Sequence, residues 1–132
     1  MQLTLPYPPS VNTYWRHVLI QGHPRVLISS QGREYRRKVI LALTECDMML
    51  GPLVVTIAVY PPDRMRRDVD NILKGLLDAM QHGGAYEDDS QIVELHVRKH
   101  APDKPGRVEV EISVDDSGPQ GTLFDRFEAK AF

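Results

Sequence analysis

The order of patterned segments predicts one small α/β domain of the α+β kind, in which a mixed β-sheet carries two principal helices. Three observations lead there. Leu53–Tyr60 reads LVVTIAVY, a nearly continuous β-branched run of the sort that fills the middle of a sheet. Two segments with helical spacing of apolar residues stand before and after it. Two runs of alternating residues, 91–100 and 107–114, then close the patterned part of the chain. At 132 residues the chain is long enough to bury a core without metal or disulfide support.

Taken in order, Gln2 to Leu5 alternates and reads as an edge strand, stopped by Pro6, Pro8 and Pro9. Val11 to His17, rich in Asn, Tyr and Trp, reads as a loop. Arg25 to Ile28 is a short strand. Ser29 or Ser30 then supplies a helix N-cap, and a helix is expected from about Gln31 to Met48. Its buried stripe is Tyr35, Val39, Leu43 and Cys46, which leaves Arg33, Arg36 and Arg37 off the stripe. Gly51-Pro52 ends that segment, and Pro61-Pro62 stops the strand that follows. A second helix is expected from about Asp68 to His82, with Val69, Ile72, Leu73, Leu76, Leu77 and Met80 on one face and Gly83-Gly84 as its stop. The strands at 91–100 and 107–114 are expected to pair antiparallel with one solvated face. From Asp115 the composition turns to Asp, Ser, Gly and Pro, so the domain is placed at 1–114 and a tail at 115–132.

Composition excludes several classes. Cys46 is the one cysteine, so no intrachain disulfide can form and a reducing cytoplasm is expected. Met1–Ser10 lacks the basic patch and apolar run of a secretory leader, and no segment reaches the roughly 20 apolar residues of a membrane span. The net charge of −2 argues mildly against a nucleic-acid binder. Its distribution weakens the objection, because the whole excess of acid lies from Asp115 onward. Before that point bases gather in three groups: Arg16, Arg25, Arg33, Arg36, Arg37 and Lys38; Arg64, Arg66 and Arg67; and Arg98, Lys99, Lys104 and Arg107. Local potential, not the total, governs docking.

Two acid clusters hold the chemistry: Arg66-Arg67-Asp68-Val69-Asp70-Asn71 and Glu87-Asp88-Asp89-Ser90-Gln91. Each residue has an ordinary explanation. Asp68 stands where a helix N-cap is wanted, and Asp70 falls in a first turn that favours a carboxylate. Asp70, Lys74 and Asp78 are spaced as a surface ion-pair ladder. That account leaves the second cluster unexplained, since Asp88 and Asp89 follow the Gly83-Gly84 reversal and return beside the same helix, where both clusters are expected to meet at one point. Acids this dense repel one another unless a cation sits between them. A hard ion such as Mg²⁺, held by two or three carboxylates, suits phosphodiester hydrolysis, with Lys74 reaching a non-bridging oxygen. The five histidines lack metal-ligand spacing, and no serine has an arranged base.

The runs RRDVDNILKGLLDAM and EDDSQIVELHVRK, preceded by LPYPPSVNTYWRH and SSQGREYRRKV, resemble the RusA family of Holliday-junction resolvases over Met1 to Val114. The resemblance implies a small α/β homodimer that resolves four-way DNA junctions in recombination and repair by paired, Mg²⁺-dependent nicks. It places the essential carboxylates and metal ligands at Asp68, Asp70 and Asp89 and the important lysine at Lys74. Asp88 and Asn71 are supporting residues, and Tyr86 holds the aromatic position two residues before the acid pair. Arg66, Arg67 and the Arg33, Arg36, Arg37 and Lys38 face are expected to hold the DNA backbone.

A four-way junction has approximate two-fold symmetry and needs two cuts, so an isologous dimer suits it. Two rivals use fewer of these residues: a junction-binding module that does not cut, and an interaction protein whose acids are caps and surface pairs. In the tail, Gln120-Gly121-Thr122-Leu123-Phe124 resembles the Q-x-x-L-F peptide with which bacterial proteins dock on the replicative sliding clamp. The competing expectation is that Leu123, Phe124, Phe127 and Phe132 pack on the body.

Overall fold

The computed structural model describes residues 1–116. The docking peptide expected at Gln120, Leu123 and Phe124 lies outside the described residues. The elements are β1 (Gln2–Pro6), α1 (Val11–Tyr14), β2 (Trp15–Ile20), β3 (His23–Ile28), α2 (Ser30–Ala42), β4 (Leu53–Tyr60), α3 (Asp70–His82), a 3₁₀ turn (Asp89–Gln91), β5 (Ile92–Lys99) and β6 (Arg107–Val114). Four strands form a mixed sheet in the order β1-β6-β4-β5, and β2 and β3 form a separate two-stranded ribbon.

β4 is central, as its apolar run predicts, and β1 lies at an edge. The expected β5–β6 pair does not form. β5 runs parallel to β4, β6 runs antiparallel to it on the other side, and β6 carries β1. The cause is α3. A helix joining two strands of one sheet is a crossover connection, which returns the chain parallel to the strand it left. β5 is consequently the second edge of the sheet.

One face of the sheet is apolar. Leu53, Val55, Ile57 and Val59 of β4 meet Val108, Val110 and Ile112 of β6 and Leu5 of β1 beneath Tyr35 and Val39 of α2 and Ile72, Leu76, Ala79 and Met80 of α3. The opposite face exposes Gln2, Thr4, Thr56, Glu109 and Glu111. Because side chains alternate along a strand, this in-and-out pattern fixes the register.

Ser29 caps α2 as expected, its hydroxyl accepting the Gly32 N–H at 2.9 Å and donating to the Thr13 carbonyl at 2.5 Å. The helix ends at Ala42 instead of continuing to Met48. Thr44 donates its hydroxyl to the Ile40 carbonyl and the Cys46 N–H bonds Leu43, so the chain closes in turns. Cys46 is half-buried beyond the helix. The expected Val11–His17 loop is instead the turn of helix α1 followed by the first half of the ribbon. Among the described residues, no helix is long and apolar enough to cross a membrane.

Candidate active site

The β4–α3–β5 unit positions both acid clusters. α3 begins at Asp70, with Val69 at the cap position and no side-chain cap hydrogen bond. Asp68 offers only its backbone carbonyl, which accepts the Asn71 N–H at 3.2 Å. Its carboxylate is therefore not consumed as a cap. Asp68 and Asn71 line a groove of about 310 Å³ with Tyr7, Ser10, Arg66 and Arg67. Arg67 is held by Asp63, whose carboxyl is lowered first by that hydrogen bond, and the Lys99 ammonium donates to the Arg67 carbonyl at 3.1 Å. The end of β5 is thus tied to the segment that carries Asp68. Arg66 is exposed and makes no ion pair among the described residues.

The expected Asp70–Lys74–Asp78 ladder does not form. Asp78 turns to the other side, where Arg36 Nη2 approaches it at 2.8 Å, Arg36 Nε donates to it at 2.9 Å, and the Tyr14 hydroxyl donates to it as well. His82 Nε2 stands 3.7 Å from its other oxygen. Burial, then the Asp78 hydrogen bond, raises the Tyr14 phenol well above its ordinary value. This network has a steric condition. A Cβ on Gly75 would lie 2.9 Å from the Tyr14 ring, so a helix residue without a side chain lets the ring lie flat on α3.

Asp70 and Lys74 make no ion pair among the described residues, and the Lys74 ammonium sits 6.0 Å from the centre of the Trp15 ring. Arg36 consequently does not stand on the exposed basic face of α2. Arg37 is paired with Glu34 at 2.6 Å, Arg33 Nη1 donates to the Ile28 carbonyl at 3.2 Å, and Lys38 is exposed.

The second cluster rides on a fixed loop. Tyr86 is fully buried and donates its hydroxyl to the Leu77 carbonyl at 2.7 Å. Asp88 caps the 3₁₀ turn by accepting the Ser90 N–H at 2.9 Å, and the Gln91 side chain accepts the Asp88 N–H at 3.0 Å. That cap lowers the Asp88 carboxyl, while burial, then neighbouring Asp88 and Asp78, raises Asp89. The Asp89 N–H donates to the Gln81 side chain at 3.2 Å, which places Asp89 at the C-terminal end of α3.

Asp68 and Asp70 are at the opposite end. The eight steps of helix from Asp70 to Asp78 already span about 12 Å. Among the described residues, no group of three or more His, Cys, Asp or Glu side chains is placed to hold a metal ion. Asp68 with Asp70, and Asp88 with Asp89, come together as two pairs. A single chain does not unite them.

Sequence reasoning missed two features here. Arg36, Tyr14 and Asp78 are 22 and 42 residues from one another, and nothing local announces their meeting. The ribbon rooted at Trp15 did have a signal, two six-residue runs, WRHVLI and HPRVLI, each ending in apolar β-formers and separated by Gln21-Gly22.

Comparison with known proteins agrees with this architecture. The sequence model of the family described as endodeoxyribonuclease RusA matches residues 6–113. The crossover junction endodeoxyribonuclease rusA of Enterobacteria phage HK97 is 40% identical over 115 residues, spanning 85% of this chain and 92% of that protein. The namesake proteins of Escherichia coli (strain K12) and Enterobacteria phage 82 are 37% and 38% identical over 114 residues, each spanning 84% of this chain and 92% of the relative.

Proposed function

The chain belongs to the endodeoxyribonuclease RusA family, and from that premise we propose that it nicks four-way DNA junctions with a divalent metal ion, Mg²⁺, at a site shared between two copies. The observation that carries the reading is the state of the acids. Asp68, Asp70 and Asp89 are exposed and lack a cationic partner among the described residues, although most other acids near them are paired or capping. Hard, unpaired carboxylate oxygens fit a magnesium ion, and their separation in one chain calls for a second chain.

A homodimer built on β5 supplies it. Among the described residues β5 is a free sheet edge, with Val93 43% and Leu95 39% exposed, and Leu73 and Leu77 of α3 are only half-buried. An edge of this kind invites a further strand. Two β5 strands paired antiparallel about a two-fold axis set the start of one against the end of the other. The start carries Asp89, and the end carries Lys99, which is bonded to Arg67 beside Asp68 and Asp70. Eight residues of strand span about 26 Å. The pairing therefore converts the separation into two composite sites, each taking Asp68 and Asp70 from one copy and Asp89 from the other.

In such a site the ion, when bound, activates water and offsets charge developing on the phosphate. Lys74 approaches a non-bridging oxygen. Arg66, Arg33 and Lys38 contact neighbouring phosphates directly, and Arg67 and Arg37 do so by exchanging an exposed carboxylate for phosphate. Arg36 acts from within, fixing α2 and Tyr14 on α3, and Asp88 and Asn71 shape the backbone on either side of the acids. The remaining proposals are a domain at 1–114 followed by the tail, a cytoplasmic setting in recombination and repair, and clamp docking through Gln120, Leu123 and Phe124.

A nicking assay on a synthetic four-way junction tests the function. Cleavage with Mg²⁺ that is absent in chelator and much weaker on linear duplex supports it. Junction binding without any cut, across Mg²⁺ and Mn²⁺, contradicts it.

A further inference from the structure

The β2–β3 ribbon forms a two-stranded sheet of its own, apart from the four-stranded sheet. It spans about 20 Å, and an isolated two-stranded ribbon is marginal in water. Its turn is tight, with Gln21 at φ 52° and Gly22 at φ 80°, a two-residue hairpin reversal whose second position suits glycine. Its root is firmly held. The Ser29 N–H bonds the Tyr14 carbonyl at 2.9 Å, and the Trp15 ring packs edge-on against Tyr14 with centroids 4.8 Å apart. The ribbon exposes apolar groups that soluble proteins usually cover: Leu19 at 73% and Ile20 at 47% next to the turn, and Val26 at 57% midway along.

Charge selects what covers them. From Trp15 to Ile28 there is no acid, and Arg16 and Arg25 have no carboxylate partner among the described residues. Register places Arg16, Arg25, His23 and Ile20 on one face and His17, Val26 and Leu19 on the other. At the root a groove of about 360 Å³ is lined by Asn12, Trp15, Arg16, Ser30 and Arg33, and the Trp15 indole N–H finds no acceptor among the described residues. Lys74, one turn from Asp70, lies on the same Trp15 ring. The ribbon therefore springs from beside the proposed cutting residues with Arg16 at its root, Arg25 midway and the apolar Leu19 and Ile20 at its tip.

We propose that this ribbon opens the branch point of the junction, with Leu19 and Ile20 entering between bases while Arg16, Arg25 and the root groove hold the flanking phosphates. Apolar wedges that unstack base steps are a recurrent device of DNA-bending proteins, and their insertion is offset by added backbone contacts. The inference rests on the junction-nuclease reading and adds the element by which the chain selects its substrate.

The test uses the full chain, a junction with 2-aminopurine at its centre, and the double variant Leu19→Ser/Ile20→Ser, whose sites are exposed and whose melting should match the parent. In metal-free buffer the parent should raise the fluorescence on saturation, and the variant should bind without that rise. With Mg²⁺ the variant should nick the fully paired junction at least about tenfold more slowly, yet nick a junction with mismatched central bases at the parent rate. A fluorescence rise that survives the substitutions, or equal slowing on both junctions, overturns the proposal. So does loss of the dimer on sedimentation, which would make the ribbon a contact between copies. If the parent nicks nothing, the nuclease reading falls, and the fluorescence measurement still decides the role of the ribbon.

Discussion

Two sets of aspartates border α3, and their surroundings could hardly differ more. Asp78 faces inward, held by Arg36 and Tyr14 with its side chain 23% exposed. Asp68, Asp70 and Asp89 are exposed without a cationic partner among the described residues, and Asp89 carries the added repulsion of Asp88 and Asp78. The first arrangement serves the fold, because each charge has its complement within the chain. In the second, Asp89 is held against like charge, and none of the three acids is paired with a cation among the described residues. The proposed ion would account for acids kept in that state.

The largest effects should come from the unpaired set. Asp70→Asn keeps the volume and removes the charge. Loss of groups merely supporting a metal ligand costs about 10- to 100-fold, so loss of a ligand should lower junction nicking by more than about 100-fold. Junction binding in chelator should persist. Next comes Asp78→Asn, which leaves Arg36 without its counter-charge in a half-buried place. Hydrogen bonds to charged groups contribute about 1.5–3 kcal/mol, so a thermal melt should drop by several degrees while nicking per folded molecule changes little. If the two variants exchanged these outcomes, the division between the sets would collapse.

Smaller effects sharpen the comparison. Burial and like charges raise the Asp89 carboxyl in the folded chain, so its ionised form disfavours folding. Its contribution is favourable at low pH and is lost as pH rises through the raised value. Metal-free Asp89→Asn should therefore melt higher than the parent at neutral pH, and the gain should fade below the ordinary aspartate value of 3.8. Melting curves from pH 3 to pH 8 measure it, with constant difference across that range as the contrary result. Gly75→Ala sets a helix gain of about 1 kcal/mol against an overpacking cost of about 1–3 kcal/mol at the Tyr14 ring. A small net loss of stability is expected from denaturant titration, and a rise would mean the ring yields freely. Least affected is Arg37→Ala, whose pair with Glu34 is exposed and screened. It should leave the melt unchanged and only flatten the salt dependence of junction binding.

Local features of the fold were legible in the sequence and relational ones were not. LVVTIAVY identified β4, the apolar stripe identified α3, and the pair Ser29-Ser30 marked the start of α2, because each signal sits within a few residues. The neighbours of β5 depend on where α3 and β6 lie, although the helix between two strands already implied a parallel return. The same limit applies to the site. Asp68, Asp70, Asp89 and Lys74 stand out by type and spacing; the cap role offered for Asp68 proves not to be taken, while Asp70 does stand in the first turn of α3. Asp78 matched the spacing of a surface ladder, and only tertiary structure shows Arg36, 42 residues away, as its partner. That the two acid pairs stand at opposite ends of α3 follows from the crossover, which no local pattern encodes.

The composite site across a dimer is the central claim, and mixing two dead variants tests it most directly. Asp70→Asn and Asp89→Asn chains are unfolded together, refolded and assayed on a four-way junction with Mg²⁺. If each site takes Asp68 and Asp70 from one copy and Asp89 from the other, a mixed dimer places both substitutions in one site and leaves the second intact. Nicking should then return in the mixture, as single cuts, while either variant alone stays inactive. A mixture as inactive as its parents, with mixed dimers shown to be present, would mean that each site lies within one chain.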